Sequence, residues 1–117
     1  MNFNEYQNSI TKFCKYPQKT ELFHPKGYEV PTYPFFELAG EVGEVLEKVK
    51  KISRDKKGTM SYEDIDILKK ELGDVLFALS RISTHLGINL EDVADSNVDK
   101  LQSRLDRDKI HGSGDNR

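Results

Sequence analysis

The sequence has one cysteine, no long apolar run and almost no net charge. The single cysteine, Cys14, excludes an intrachain disulfide and is typical of a reducing compartment. No apolar run approaches the roughly 20 residues of a membrane span, and the first residues do not form a signal peptide. The net charge of −2 provides no basic surface for a polyanion. We therefore expect a cytoplasmic protein that binds neither membranes nor nucleic acid.

The length of 117 residues fits one domain spanning residues 1–117. A chain this short often shares its core with a partner subunit. We expect an N-terminal helix and an aromatic loop over about residues 1–33, and a C-terminal tail over about residues 108–117. The loop holds Phe23, Tyr28 and Tyr33. These aromatic residues either help to enclose a ligand or seal the edge of a core.

Apolar residues at helical spacing predict four helices. The helices span about residues 4–16, 33–52 and 62–86, and the fourth begins after Asn89. Ser61 and Asp64 form a capping box for the third helix, and Gly87 ends it. No run of useful length has the period of a strand. The prediction is an all-α four-helix bundle whose apolar faces pack between subunits.

Five acidic residues fall into two groups on the second and third predicted helices. The first group has the spacing i, i+4, i+7, and the second has the spacing i, i+3. Each spacing places its group on one face of a helix. The residues are Glu37, Glu41 and Glu44, followed by Glu71 and Asp74.

Most acidic helix faces are solvated or paired with lysine, and Glu44 with Lys48 fits that description through i,i+4 pairing. Glu41 and Glu71 do not, because neither has a basic residue three or four positions away on its own helix. Two carboxylates about 5 Å apart repel by roughly 3 kcal/mol at an effective dielectric constant of about 20. Protonation, a lysine from another element or a bound cation would compensate this repulsion. Carboxylates without histidine or cysteine favour a hard cation, Mg²⁺ or Mn²⁺.

A carboxylate-bound Mg²⁺ usually also coordinates phosphate oxygens and can activate a water. The acidic faces therefore point to hydrolysis of a phosphoanhydride. On the fourth predicted helix, Lys100 and Arg104 have the spacing to neutralise phosphates, and Asn97 lies one turn earlier. The alternative for these three residues is a solvated outer face.

The order of these motifs resembles that of MazG-like nucleoside triphosphate pyrophosphohydrolases. The resemblance covers about residues 35–117. It is carried by Leu38-Ala39-Gly40-Glu41-Val42-Gly43-Glu44-Val45, Glu71-Leu72-Gly73-Asp74-Val75-Leu76, Asn97-x-x-Lys100-Leu101-x-x-Arg104 and the ending Ile110-His111-Gly112-Ser113-Gly114-Asp115-Asn116-Arg117. It implies an all-α homodimer or homotetramer. It also implies Mg²⁺-dependent hydrolysis of a nucleoside triphosphate to the monophosphate and pyrophosphate.

The resemblance also implies roles for individual residues. A water attacks the α-phosphorus and is oriented by a metal-binding carboxylate or by Glu37, so that the catalytic candidates are Glu37, Glu41 and Glu71. Many relatives have adjacent glutamates, and Gly40 occupies the first of those two positions here. The implied metal ligands are Glu41, Glu44, Glu71 and Asp74, and the implied nucleotide contacts are Asn97, Lys100 and Arg104.

Three other interpretations remain open on the sequence. Related helical dUTPases and phosphoribosyl-ATP pyrophosphohydrolases share the metal chemistry but use other substrates. A non-catalytic, metal-binding helical interaction module would keep the acidic residues without turnover. A di-iron bundle needs Glu-x-x-His on two helices, and the one match, Glu21-x-x-His24, lies beside a proline and is not repeated.

Overall fold

The computed structural model describes residues 1–15 and 22–115 and is mostly helical. The predicted helix end at Pro17 and the glutamate Glu21 lie outside the described residues. In chain order the elements are α1 (Phe3–Ser9), a 3₁₀ turn (Ile10–Phe13), β1 (Leu22–Phe23), β2 (Glu29–Val30), α2 (Tyr33–Asp55), α3 (Tyr62–His85) and α4 (Leu90–Asp106). The four predicted helices are confirmed, and no helix within the described ranges has the length and apolarity to cross a membrane.

The first helix is shorter than predicted. Asn2 and Glu5 form a capping box at its start, and the α-helix ends at Ser9. The hydroxyl of Ser9 donates to the carbonyl of Tyr6 at 2.9 Å. Serine and asparagine compete with helical hydrogen bonding, so the apolar period alone overestimated the length of α1.

A two-stranded antiparallel hairpin, which the sequence did not predict, lies within the aromatic loop. Leu22 pairs with Val30 in its register. The turn has Gly27 at φ +93°, a conformation that glycine adopts without steric cost. The His24 and Tyr28 rings stack with centroids 4.3 Å apart. Strands of two residues are too short to produce a readable alternation, which is why the sequence did not reveal them.

The long helices α2 and α3 form an antiparallel pair. The loop between them turns through Lys57 and Gly58, both with positive φ. Ser61 and Asp64 form the predicted capping box at the start of α3. The Lys56 ammonium group donates to Asp64 Oδ1 at 2.8 Å and fixes the loop to α3. This pair of helices places the acidic residues of α2 opposite those of α3.

The turn between α3 and α4 is held by α1. The backbone N–H of Ile88 donates to the carbonyl of Ser83 at 2.9 Å, while Gly87 has φ +75°. The Gln7 amide donates to the Ile88 carbonyl at 3.0 Å and accepts from the Leu90 N–H at 2.8 Å. Asn89 is the N-cap residue but makes no side-chain cap. The predicted role of Asn89 is therefore taken by Gln7, a residue distant in sequence.

The buried apolar core residues lie in the 3₁₀ turn, β2, the second half of α3 and the start of α4, and they are Ile10, Val30, Ala78, Ile82 and Leu90. The single chain leaves many other apolar residues exposed, including Val42, Leu46, Val49, Leu72, Val98, Leu101 and Leu105. Its radius of gyration is 17.4 Å, whereas a compact domain of this length has a radius of about 13 Å. The helices are thus formed, but part of their apolar surface is not covered by any residue in the described ranges 1–15 and 22–115.

Candidate metal centre

Three carboxylates meet between α2 and α3. One oxygen from each of Glu41, Glu71 and Asp74 lies within 4.8 Å of the others, and these three residues are called the acidic cluster below. Glu71 is half-buried, with 19 % of its side chain exposed. Asp74 is exposed. The two acidic helix faces therefore converge as the sequence predicted.

Glu37 lies one turn before Glu41 on the same face of α2. Its Oε2 atom is buried and has no hydrogen-bond partner within the described part of the chain. Burial raises the pKa of Glu37, and the negative charge of Asp74 raises it further. A buried carboxylate oxygen without a donor is costly, so this atom is suited to receive a proton or a hydrogen bond from a ligand.

Glu41 experiences the charges of all the other acidic residues at the site. Burial is the largest cause of its raised pKa. The repulsion from neighbouring carboxylates adds to it, in decreasing order from Asp74, Glu37, Glu71 and Glu44. Since every one of these charges is negative, the protein alone leaves the site with excess negative charge.

Glu44 lies at the edge of this site. It is exposed and is not part of the acidic cluster. Its predicted partner, Lys48, extends across to α3 instead, where its Nζ atom lies 3.9 Å from Glu71 Oε1. Lys48 is a residue of the site that the sequence analysis missed. The available signal was its position on the same helix face, seven residues after Glu41.

Tyr6 is a second residue that the sequence analysis did not assign to the site. Burial raises the pKa of its hydroxyl, and the charge of Asp74 raises it further. Tyr6 lies on α1. Helical spacing describes neighbours on one helix only, so it did not indicate that α1 would bring Tyr6 close to α3.

The predicted nucleotide contacts on α4 do not meet the acidic cluster. Arg104 is 5 % exposed, and its Nη2 atom donates to the carbonyls of Gly114 and Asp115 at 3.1 and 3.0 Å. The Lys100 ammonium group donates to Asp115 Oδ1 at 3.3 Å. Asn97 is exposed. In the described ranges no hydrogen bond or ion pair joins α4 to the acidic cluster. Lys100 and Arg104 instead bind the C-terminal tail.

The acidic cluster fits a hard divalent cation. All of its donors are carboxylate oxygens, the ligands that Mg²⁺ and Mn²⁺ prefer. Oxygens bound to one Mg²⁺ at about 2.1 Å lie about 3 to 4 Å from one another. The oxygens of Glu41, Glu71 and Asp74 are within 4.8 Å, so small side-chain rotations are sufficient. The unpartnered oxygen of Glu37 lies on the same helix face.

Comparisons with known proteins show the family of the chain. The MazG nucleotide pyrophosphohydrolase domain matches residues 35–107, a range that includes nearly all of α2 and the whole of α3 and α4. The chain is 40 % identical over 117 residues to the gene 37 protein of Mycobacterium phage L5, with 100 % of both chains covered. No solved structure matches the chain. The chain therefore belongs to the family of MazG nucleotide pyrophosphohydrolase domains.

Proposed function

We propose that this protein is a cytoplasmic, Mg²⁺-dependent nucleoside triphosphate pyrophosphohydrolase, which converts a ribo- or deoxyribonucleoside triphosphate to the monophosphate and pyrophosphate. The observation that carries the proposal is the acidic cluster, in which α2 and α3 bring three carboxylates together and Lys48, 3.9 Å from Glu71, is the one cation paired with them among the described residues. Family membership supports the same reaction class.

Glu41, Glu71 and Asp74 would hold the cation, and Glu44, exposed beside them, is proposed as a further ligand. Mn²⁺ is the proposed substitute for Mg²⁺, since it has the same preference for oxygen. When bound, Mg²⁺ supplies Lewis-acid chemistry, withdrawing charge from phosphorus and neutralising phosphate oxygens. The carboxylates also position the nucleotide, because phosphate oxygens complete the coordination of such an ion.

Glu37 is proposed as the group that orients the attacking water and accepts its proton. The oxygen of the water forms a bond to the α-phosphorus while the bond from that phosphorus to the α,β-bridging oxygen breaks. The bridging oxygen leaves with pyrophosphate, and the water proton passes to Glu37. The raised pKa of Glu37 favours this role, because a general base is most effective when its pKa is close to the working pH.

The exposed apolar residues support a homodimer or a homotetramer. Val42, Leu46 and Val49 form a stripe on α2, and Val98, Leu101 and Leu105 form another on α4. Contiguous apolar surface of this kind marks an interface in soluble proteins. We propose that a second copy of the chain covers these stripes and shares its core with the first.

Asn97, Lys100 and Arg104 stay predicted contacts for the nucleotide. In the single chain, Asp115 accepts hydrogen bonds from Lys100 and Arg104 at 3.3 Å each. A phosphate group at this position would therefore compete with the Asp115 carboxylate. The exposed side chain of Asn97 needs no such displacement.

The proposal is tested by measuring pyrophosphate release from a panel of ribo- and deoxyribonucleoside triphosphates, with and without Mg²⁺. Glu71→Gln removes one charge of the acidic cluster and should lower kcat at least about 100-fold, beyond the 10- to 100-fold cost typical of removing an outer-shell partner. Glu63→Gln, at an exposed position in the first turn of α3, is the matched control and should retain activity.

Release of orthophosphate, or turnover that is equal with and without Mg²⁺, would contradict the proposed reaction. Mg²⁺ binding without turnover of any nucleotide in the panel would favour a non-catalytic metal-binding module. Selective turnover of dUTP would identify a dUTPase-type substrate preference for the same chemistry.

A further inference from the structure

A cleft with three lysines lies between α2 and α3, next to the acidic cluster. Its volume is about 180 Å³. Water occupies about 30 Å³ per molecule in the liquid, so the cleft has room for several waters or one small anion. Its charged lining residues are Lys48, Lys51, Asp55, Lys56 and Asp64. We call Lys48, Lys51 and Lys56 the lysine cleft.

The two carboxylates of this cleft already have cationic partners. Asp55 accepts two hydrogen bonds from the guanidinium group of Arg54, at 2.6 and 2.9 Å. Asp64 accepts from the ammonium group of Lys56 at 2.8 Å and from the backbone N–H of Ser61 at 2.9 Å. Asp55, Asp64 and Lys56 are therefore already paired. The remaining cations of the cleft are Lys48 and Lys51.

Lys48 and Lys51 are held only loosely. The Nζ atom of Lys48 lies 3.9 Å from Glu71 Oε1, and that of Lys51 lies 3.9 Å from Glu47 Oε1. Hydrogen bonds between ammonium and carboxylate groups are about 2.7 to 2.9 Å long. By contrast, the Nζ atom of Lys50, a residue outside the cleft, lies 2.9 Å from Glu47 Oε2. An anion entering the cleft would therefore meet two ammonium groups that retain free donors.

The position of these lysines relative to the acidic cluster is fixed by α2. Side chains of a helix lean toward its N-terminus, so Lys48 reaches back toward the cluster, in agreement with its contact to Glu71. Lys51 lies three residues further, about 4.5 Å along the axis. The groove between α2 and α3 thus presents first carboxylates, then the ammonium group of Lys48, then that of Lys51.

We infer that the lysine cleft binds the pyrophosphate portion of the nucleotide, with Lys48 on the β-phosphate and Lys51 on the γ-phosphate. The inference rests on the proposed function, because it requires the α-phosphate to lie at the acidic cluster. Lys56, tied to Asp64, forms the far wall of the cleft. After cleavage the same groups hold the pyrophosphate product before it leaves.

The test is direct binding of magnesium pyrophosphate to the full chain, measured by isothermal titration calorimetry, with no turnover required. Lys48→Gln should weaken binding about tenfold or more, the factor expected when about 1.4 kcal/mol of a charge-assisted contact is lost. Lys51→Gln should weaken it less. Lys50→Gln is the matched control, since it removes a neighbouring lysine of α2 that lies outside the cleft.

Equal affinity for magnesium pyrophosphate in Lys48→Gln, Lys50→Gln and the native chain would overturn the inference. So would a loss of nucleotide turnover in Lys48→Gln with unchanged pyrophosphate affinity, because Lys48 would then act only by positioning Glu71. Thermal melting of each variant checks that it is folded. A native chain that binds pyrophosphate through Lys48 but hydrolyses no nucleotide would support the anion site and refute the proposed function.

Discussion

The acidic cluster and the contact between α4 and the tail use charge in opposite ways. At α4 the cations Lys100 and Arg104 meet the carboxylate of Asp115, and Arg104 also donates to two carbonyls. At the acidic cluster three carboxylates meet one lysine at 3.9 Å. Charge that the chain itself balances stabilises the fold. Charge that the chain leaves unbalanced indicates a site for something from outside.

The largest effect that we expect from this difference is a rise in the free energy of unfolding when Mg²⁺ is added. A cation that binds only the folded chain raises the free energy of unfolding by about 2.7 kcal/mol at a concentration 100 times its dissociation constant. We expect this gain in the native chain and its loss in Glu41→Gln, measured by urea unfolding with Mg²⁺ or with a chelator. Glu63→Gln should behave as the native chain does, and an equal gain in Glu41→Gln would locate the cation elsewhere.

A smaller effect is expected from Arg104→Met, which keeps the buried stem of the side chain and removes its guanidinium group. The lost hydrogen bonds to the carbonyls of Gly114 and Asp115 predict a destabilisation of about 1 to 2 kcal/mol. Urea unfolding should show the same loss with and without Mg²⁺. A loss seen only with Mg²⁺ would mean that α4 belongs to the metal centre. A raised KM at unchanged stability would instead establish Arg104 as a nucleotide contact.

The smallest effect is a dependence of stability on pH in the metal-free protein. Folding raises the pKa of Glu37 and Glu41 above the ordinary value of 4.5, so the folded chain binds more protons than the unfolded chain. The contribution of Glu37 and Glu41 to the free energy of unfolding therefore falls as pH rises from about 4.5 through the raised pKa values. Glu41→Gln should melt at a higher temperature than the native chain at pH 7, and this advantage should disappear toward pH 4.5.

Two observations would refute that pH dependence. One is an identical melting temperature for Glu41→Gln and the native chain across the whole range, with a chelator present. The other is an advantage that grows toward low pH. Asp64 and Asp115 have lowered pKa values, so their stabilising contacts are lost as pH falls below about 3.8, in both proteins equally.

The long helices were predictable because their local signals agree. The capping box of Ser61 and Asp64 and the positive φ of Gly87 bound α3 where the sequence placed its ends. The meeting of Glu41 with Glu71 was also predictable, since helical spacing aligned each acidic face. The hairpin at Leu22–Phe23 and Glu29–Val30 was not, because two residues per strand carry no period.

Contacts between residues that are distant in the sequence could not be predicted from it. Lys48 pairs with Glu71 rather than with Glu44, since the half-buried Glu71 carboxylate faces α2 across the groove. Gln7 replaces Asn89 in capping α4 because α1 packs against the turn after α3. Neither choice can be read from i,i+4 spacing, which describes neighbours on one helix only.

The sequence by itself determined the helical class, the acidic faces of α2 and α3 and the chemistry of their donors, because these follow from residue type and helical period. Only the tertiary structure decided which charges are balanced. It separated Glu44 from the acidic cluster, placed Lys48 at Glu71 and joined Arg104 to the tail. The physical reason is that electrostatic balance depends on distances between elements, which arise only when the helices pack together.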